Sequence, residues 1–157
     1  MRVSVVGGSD VDAATEEVAR ALGRRLAGRG HTVVCGGLGG VMRAVCEGAV
    51  SADGHTLGIL PGERVEEAND FVETAVATGM GHARNALVVM NGDAVVAVAG
   101  SGGTLSEIGF AFVFGRPVAG LGTHAVDGVH ACETPAEAVD YVEQASSGRE
   151  GRGGREP

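Results

Sequence analysis

Glu107 closes an eight-residue stretch, Gly100-Ser101-Gly102-Gly103-Thr104-Leu105-Ser106-Glu107, that joins a backbone able to hold an anion to a carboxylate able to do acid or base chemistry. The stretch lies between Ala94–Ala99, an apolar run that reads as a buried strand, and Ile108–Val113, whose periodicity reads as a helix. A glycine-rich turn from strand to helix lets backbone N–H groups converge on a phosphate at the positive end of the helix dipole. Glu107 stands one helical turn from that anion. Two readings of it are open: a group that faces the ligand, or the end of a Thr104–Glu107 capping box that reaches back to the Thr104 backbone. Thr134–Glu137 repeats the box with no glycine loop before it and reads as a plain cap.

A second candidate is Arg84, in Met80-Gly81-His82-Ala83-Arg84-Asn85. It falls in the first turn of an expected helix from Met80 to Asn91. A cation opposes the helix dipole there, which favours a carboxylate or phosphate partner. Two further glycine turns follow apolar strands: Gly7-Gly8-Ser9 after Arg2–Val6, and Gly36-Gly37-Leu38-Gly39-Gly40 after His31–Cys35. Neither Gly37 nor Gly100 starts a GxGxxG, because the sixth positions are Met42 and Leu105, so ordinary dinucleotide binding is disfavoured.

Composition removes other chemistries. All twelve basic residues are arginine, which excludes a lysine-bearing P-loop and Schiff-base catalysis. A net charge of −8 does not suit a protein that must neutralise a nucleic-acid polymer. The five histidines show no metal-ligand spacing, and Cys35, Cys46 and Cys132 show no CxxC, so no metal is expected and the cysteines read as small buried hydrophobes. With no membrane-length apolar run and no signal-peptide plan, a cytoplasmic protein is expected.

The elements that must position these residues alternate. Strands are expected at Arg2–Val6, His31–Cys35, Thr56–Leu60, Phe71–Thr78, Asp93–Ala99 and Pro117–Leu121. Helices fall between them, and a last one starts at Thr134-Pro135-Ala136-Glu137 and runs to about Ala145. The predicted fold is α/β: a Rossmann-like, doubly wound, mostly parallel sheet with helices on both faces. Residues 1–146 form a single nucleotide-binding domain, and 147–157 a disordered Gly/Arg/Glu tail. In such a sheet the turns after the strands share one edge, so the three glycine turns converge despite their separation in sequence.

Those residues carry a family resemblance over nearly the whole chain up to the tail. Gly36-Gly37-Leu38-Gly39-Gly40-Val41-Met42 resembles the GGxxGxM element of the LOG superfamily, the nucleoside-monophosphate phosphoribohydrolases once labelled lysine decarboxylases, and Gly100–Glu107 is similar to its PGGxGTxxE. Gly58-Ile59-Leu60-Pro61 resembles its GVIP strand end, and Val5-Val6-Gly7-Gly8-Ser9 its first turn. The resemblance implies a catalytic pair, Glu107 and Arg84. It also implies a nucleotide held by Gly7, Gly8, Ser9, Gly36, Gly37, Gly39, Gly40, Met42, Gly100, Ser101, Gly102, Gly103 and Thr104. The implied reaction is hydrolysis of the N-glycosidic bond of an AMP-like nucleotide, with no cofactor, in a homo-oligomer (dimer or tetramer). Three positions depart from the motifs: Ala99 replaces the proline, Ser101 a glycine, and Asn85 stands where the enzymes carry lysine. These changes resemble a sister branch related to the Rossmann domain of DprA and to molybdenum-cofactor carriers. The alternative that branch implies is a non-catalytic binder or carrier of a phosphorylated pterin, or a nucleotide sensor.

Overall fold

A computed structural model describes residues 1–150. Its first strand, β1 (Arg2–Gly7), shows how the sheet feeds two cores. Successive side chains of a strand point to opposite faces. Val3 and Val5 therefore enter one apolar cluster and Val6 the other, while Ser4, buried between them, donates its hydroxyl to Val88 O at 2.7 Å. Each of these fully buried valines contributes about 1.5–3 kcal/mol of transfer free energy.

The chain continues through α1 (Ala13–Gly28), β2 (Thr32–Cys35), α2 (Val41–Ser51), β3 (Thr56–Leu60) and β4 (Thr74–Ala77). Then come α3 (Asn85–Met90), β5 (Ala94–Val98), α4 (Gly102–Val113), β6 (Val118–Leu121), β7 (Val129–Cys132) and α5 (Pro135–Glu150). The strand order is β4-β3-β2-β1-β5-β6-β7, and every pairing is parallel. Helices α1, α2 and α5 cover one face, and α3 and α4 the other. This is the predicted Rossmann-like, doubly wound α/β fold. Helices α1 and α2 meet backbone to backbone: a Cβ on Gly23 would lie 2.0 Å from Val45 O, and one on Gly48 1.9 Å from Arg20 O.

Several boundaries differ from those expected, each for a local reason. The expected helix Met80–Asn91 is a 3-10 turn, Gly81–Arg84, followed by the six-residue α3. Gly79 and Gly81 hold φ of 63° and 58°, left-handed values that an α-helix cannot include. Strand β4 is shorter than Phe71–Thr78 and lies at an edge. Strand β7 was not expected, because Val129-His130-Ala131-Cys132 is a half-exposed edge strand without an apolar run. Helix α4 begins at Gly102, so the glycines form its first turn. Helix α5 runs to Glu150, four residues into the expected tail, with Ser147 Oγ donating to Glu143 O at 2.9 Å. The remainder of that tail, 151–157, lies outside the described residues. No helix among the described residues is long and apolar enough to cross a membrane.

Candidate functional site

Strand order reverses between β1 and β5, so the crevice outside their C-terminal ends is where this topology places a ligand. The three glycine turns meet there. Val41 N–H donates to Gly8 O at 3.0 Å, and a Cβ on Gly40, whose φ is 61°, would lie 2.3 Å from that same oxygen. A Cβ on Gly7 would lie 2.6 Å from Val98 O. Only chain without side chains can approach this closely.

Around this rim the expected residues divide by exposure. Ser9, Gly100, Ser101, Gly102 and Gly103 are exposed, and Gly7, Gly8, Gly39 and Gly40 are half-buried. Gly36, Gly37 and Met42 are buried and form the floor. Helix α4 opens onto the rim with Ser101 at its N-cap and no side-chain cap bond. Its first bond returning to the N-terminus runs from Leu105 N to Ser101 O, so the N–H groups of Gly102, Gly103 and Thr104 have no acceptor among the described residues. Together with the helix dipole, these free donors favour an oxyanion.

Arg84 reaches this rim from the turn after β4. Its Nη2 donates to Gly36 O at 3.3 Å, and its Nη1 donates to Asn85 Oδ1. A Cβ at position 36 would fall 2.6 Å from Nη2. Asn85 passes the link on: its Nδ2 donates to Ser106 Oγ at 3.3 Å, and Ser106 Oγ donates to Gly103 O at 2.6 Å. One chain of bonds thus ties the β2 turn to the first turn of α4. The Arg84 Nε is buried and has no partner among the described residues, an unusual state for a buried donor.

Glu107 is 7% exposed, and no hydrogen bond to its carboxyl is formed among the described residues. Burial pushes its pKa up to about 7, although the nearby Arg84 charge pulls the other way. Burial likewise lowers the Arg84 pKa, with Glu107 and Cys35 opposing. The capping reading of Glu107 is removed, because Thr104 is the third residue of α4 and not its cap. Thr134–Glu137 does cap: Glu137 N donates to Thr134 Oγ1 at 3.2 Å, and the Glu137 carboxylate accepts from Glu133 N at 2.8 Å.

The loop after β6 supplies contacts that sequence reasoning left out. Thr123 Oγ1 donates to Ala99 O at 2.6 Å, and His124 Nε2 lies 3.0 Å from Ser101 O. The signal was present as one more glycine directly after a strand, Gly122, whose φ is 58°. Ala99 itself sits at φ 47°, a left-handed value rare for a residue with a side chain. Beside it opens a hollow of about 240 Å³, lined mainly by Ala14, Thr15, Val98, Ala99, Leu121 and Cys132. Below the floor Cys35 Sγ lies 3.5 Å from Cys46 Sγ, both buried, whereas Cys132 is only half-buried. The described residues hold no cluster of metal-ligating side chains.

A parallel sheet with helices on both faces and glycine turns at its switch point defines a Rossmann-like protein. The chain belongs to the SLOG cluster4 family, whose model matches residues 1–148. It is 42% identical over 147 residues to an uncharacterized protein of Archaeoglobus fulgidus, covering 93% of this chain and 97% of that one. Among solved structures it is similar to the molybdenum cofactor binding protein of the phototrophic bacterium Rippkaea orientalis. That likeness has TM-score 0.87 and 29% identity, covering 92% of this chain and 96% of that one. It is also similar to the molybdenum cofactor carrier protein of Chlamydomonas reinhardtii, with TM-score 0.83, 31% identity, and coverage of 91% and 96%.

Proposed function

We propose that this chain binds a small organic phosphate, with the phosphoryl group on the N–H groups of Gly102, Gly103 and Thr104 and the organic part lying across the rim. The observation that carries this is the row of free N–H donors on the first turn of α4 at the sheet's switch point, tied to Arg84 through Ser106 and Asn85. Gly8, Ser9, Gly39 and Gly40 border the seat. The apolar hollow beside Ala99 suits a flat ring, a nucleobase or a pterin.

The environment of Glu107 favours turnover of a nucleoside 5′-monophosphate. A carboxyl with a pKa of about 7 is half ionised at neutral pH, which suits a general base. Water attacks C1′ as the bond from C1′ to the base nitrogen breaks. Glu107 takes the proton from water and passes it to the departing base, and ribose 5-phosphate remains. An oxocarbenium-like transition state gains from the nearby carboxylate charge, while Arg84 holds the rim in register. The pair would thus act together without a direct ion pair.

A second reading is favoured by the two solved structures named above: a carrier of molybdenum cofactor, holding its phosphorylated pterin on the same rim without chemistry at Glu107. One comparison separates the two. Incubation with AMP, followed by chromatography, releases adenine under the first reading, and Glu107→Gln lowers the rate at least 100-fold. Absence of free base, together with a molybdopterin that copurifies, supports the carrier instead. The exposed apolar residues of α4, Leu105, Phe112 and Val113, support a homo-oligomer built on that helix.

A further inference from the structure

At the opposite end of the sheet lies a second hollow, of about 710 Å³, lined by Met1, His31, Asp93, Arg116, Glu143, Ser146 and Ser147. Met1, His31, Asp93 and Arg116 stand just ahead of β1, β2, β5 and β6, so the hollow sits at the N-terminal strand ends, a full strand length from the glycine turns. At about 3.3 Å per residue, the five residues of β5 separate the two regions by roughly 16 Å.

Its acidic groups are already engaged. Asp93 Oδ2 accepts from Arg2 N at 2.8 Å. Glu143 accepts from Arg29 Nη1 at 3.1 Å and lies 2.7 Å from His31 Nε2. Its donors are in surplus. Among the described residues Arg116 Nε and Ser146 Oγ are both buried without a partner, and the Arg116 Nη2 donates to Met90 O at 3.2 Å. Two orphaned donors from different elements on one hollow, with Glu143 paired to Arg29 and Asp93 turned to the Arg2 N–H, call for an acceptor that carries negative charge.

We infer that this hollow is a binding site for a small metabolite bearing an oxyanion, a carboxylate or a phosphate, held by Arg116 and Ser146. Both residues line the hollow, so an anion within it meets both in its walls. Arg116 also follows α4, its N–H donating to Ala111 O at 2.7 Å, so an anion there rests against the far end of the helix that carries Glu107. This site is independent of the glycine rim and stands or falls without it.

The test is a titration of the isotope-labelled full chain, followed by NMR, with inorganic phosphate and separately with citrate. The site predicts saturable shifts of the Arg116 Nε–H and of the Ser146 and His31 backbone amides with at least one of the two anions. Ser146→Ala, which removes an unsatisfied hydroxyl and leaves the fold intact, weakens binding several-fold, and Arg116→Gln abolishes it. In both variants the response at Gly102 and Gly103 to phosphate is unchanged. The proposal is overturned if neither anion shifts these signals at 10 mM, a concentration of roughly metabolite level chosen to cover weak sites, or if the shifts survive in both variants.

Discussion

The Arg84 guanidinium occupies the space that a side chain at position 36 would fill, with Nη2 on the carbonyl of Gly36. Glycine there is a seat for the arginine. Gly36→Ala places a Cβ 2.6 Å from Nη2 and 2.7 Å from Met42 Sδ, both parts of flexible side chains that can yield. Stability therefore falls by only about 1–2 kcal/mol in urea denaturation, while phosphate-ligand affinity, measured by calorimetry, falls at least tenfold because the guanidinium is displaced.

Position 40 behaves differently, because its neighbours are backbone. A Cβ on Gly40 meets Gly8 O and the Ser9 carbonyl carbon, and its φ of 61° disfavours any side chain. Gly40→Ala should cost about 2–4 kcal/mol, combining the strain with the displaced turn. A midpoint of denaturation equal to the parent's would contradict the packing described.

Ala99 tests the departure from the LOG motif. Proline fixes φ near −65° and has no N–H, whereas Ala99 holds φ 47° and donates to Leu121 O at 3.0 Å. Ala99→Pro should therefore destabilise by about 3 kcal/mol or more, so restoring the motif residue damages this protein. Ala99→Gly should stabilise by up to about 1 kcal/mol by relieving the left-handed strain. Thermal denaturation of both variants checks the two signs.

Glu107 gives a pH signature. Its folded pKa of about 7 lies above its ordinary 4.5, so between those values the native state binds more protons than the unfolded chain. Stability is highest in this respect below pH 4.5 and declines as pH rises through 7. At about 1.4 kcal/mol per unit the full loss is on the order of 3 kcal/mol. Glu107→Gln, which cannot ionise, should match the parent at pH 4 and exceed it by up to that amount at pH 8. Equal stabilities at pH 8 would show that the carboxyl is not desolvated.

Val113 is 78% exposed on α4, which is costly for an isolated monomer surface only when it joins a patch. With Phe112 beside it and Leu105 two turns back on α4, the proposed homo-oligomer predicts that Val113→Arg gives a smaller species in analytical ultracentrifugation. Phe110 and Phe114 stack on each other at 6.0 Å and pack on the core, whereas Phe112 is exposed.

Legibility in the sequence followed the strength of local signals. The central strands were readable because β1, β2 and β5 are largely buried on both faces and hence mostly apolar. Convergence of the glycine turns followed from topology alone. The start of α4 was not readable, since glycine is a poor helix former and tertiary packing of Thr104 and Ile108 overrides that preference. The absence of a direct bond between Arg84 and Glu107 was equally hidden, because it depends on Asn85 and Gly36 taking the guanidinium instead. Edge strand β7 left no apolar run to find.

An organic phosphate seated on the first turn of α4 must perturb the amides of that turn. A titration of the full chain with AMP, followed by amide NMR, tests it most directly. Binding at this seat gives saturable shifts of the Gly102, Gly103 and Thr104 amides, with Gly8 and Ser9 following. Saturating AMP that leaves these amides unmoved, or that shifts only residues away from the glycine rim, would contradict it.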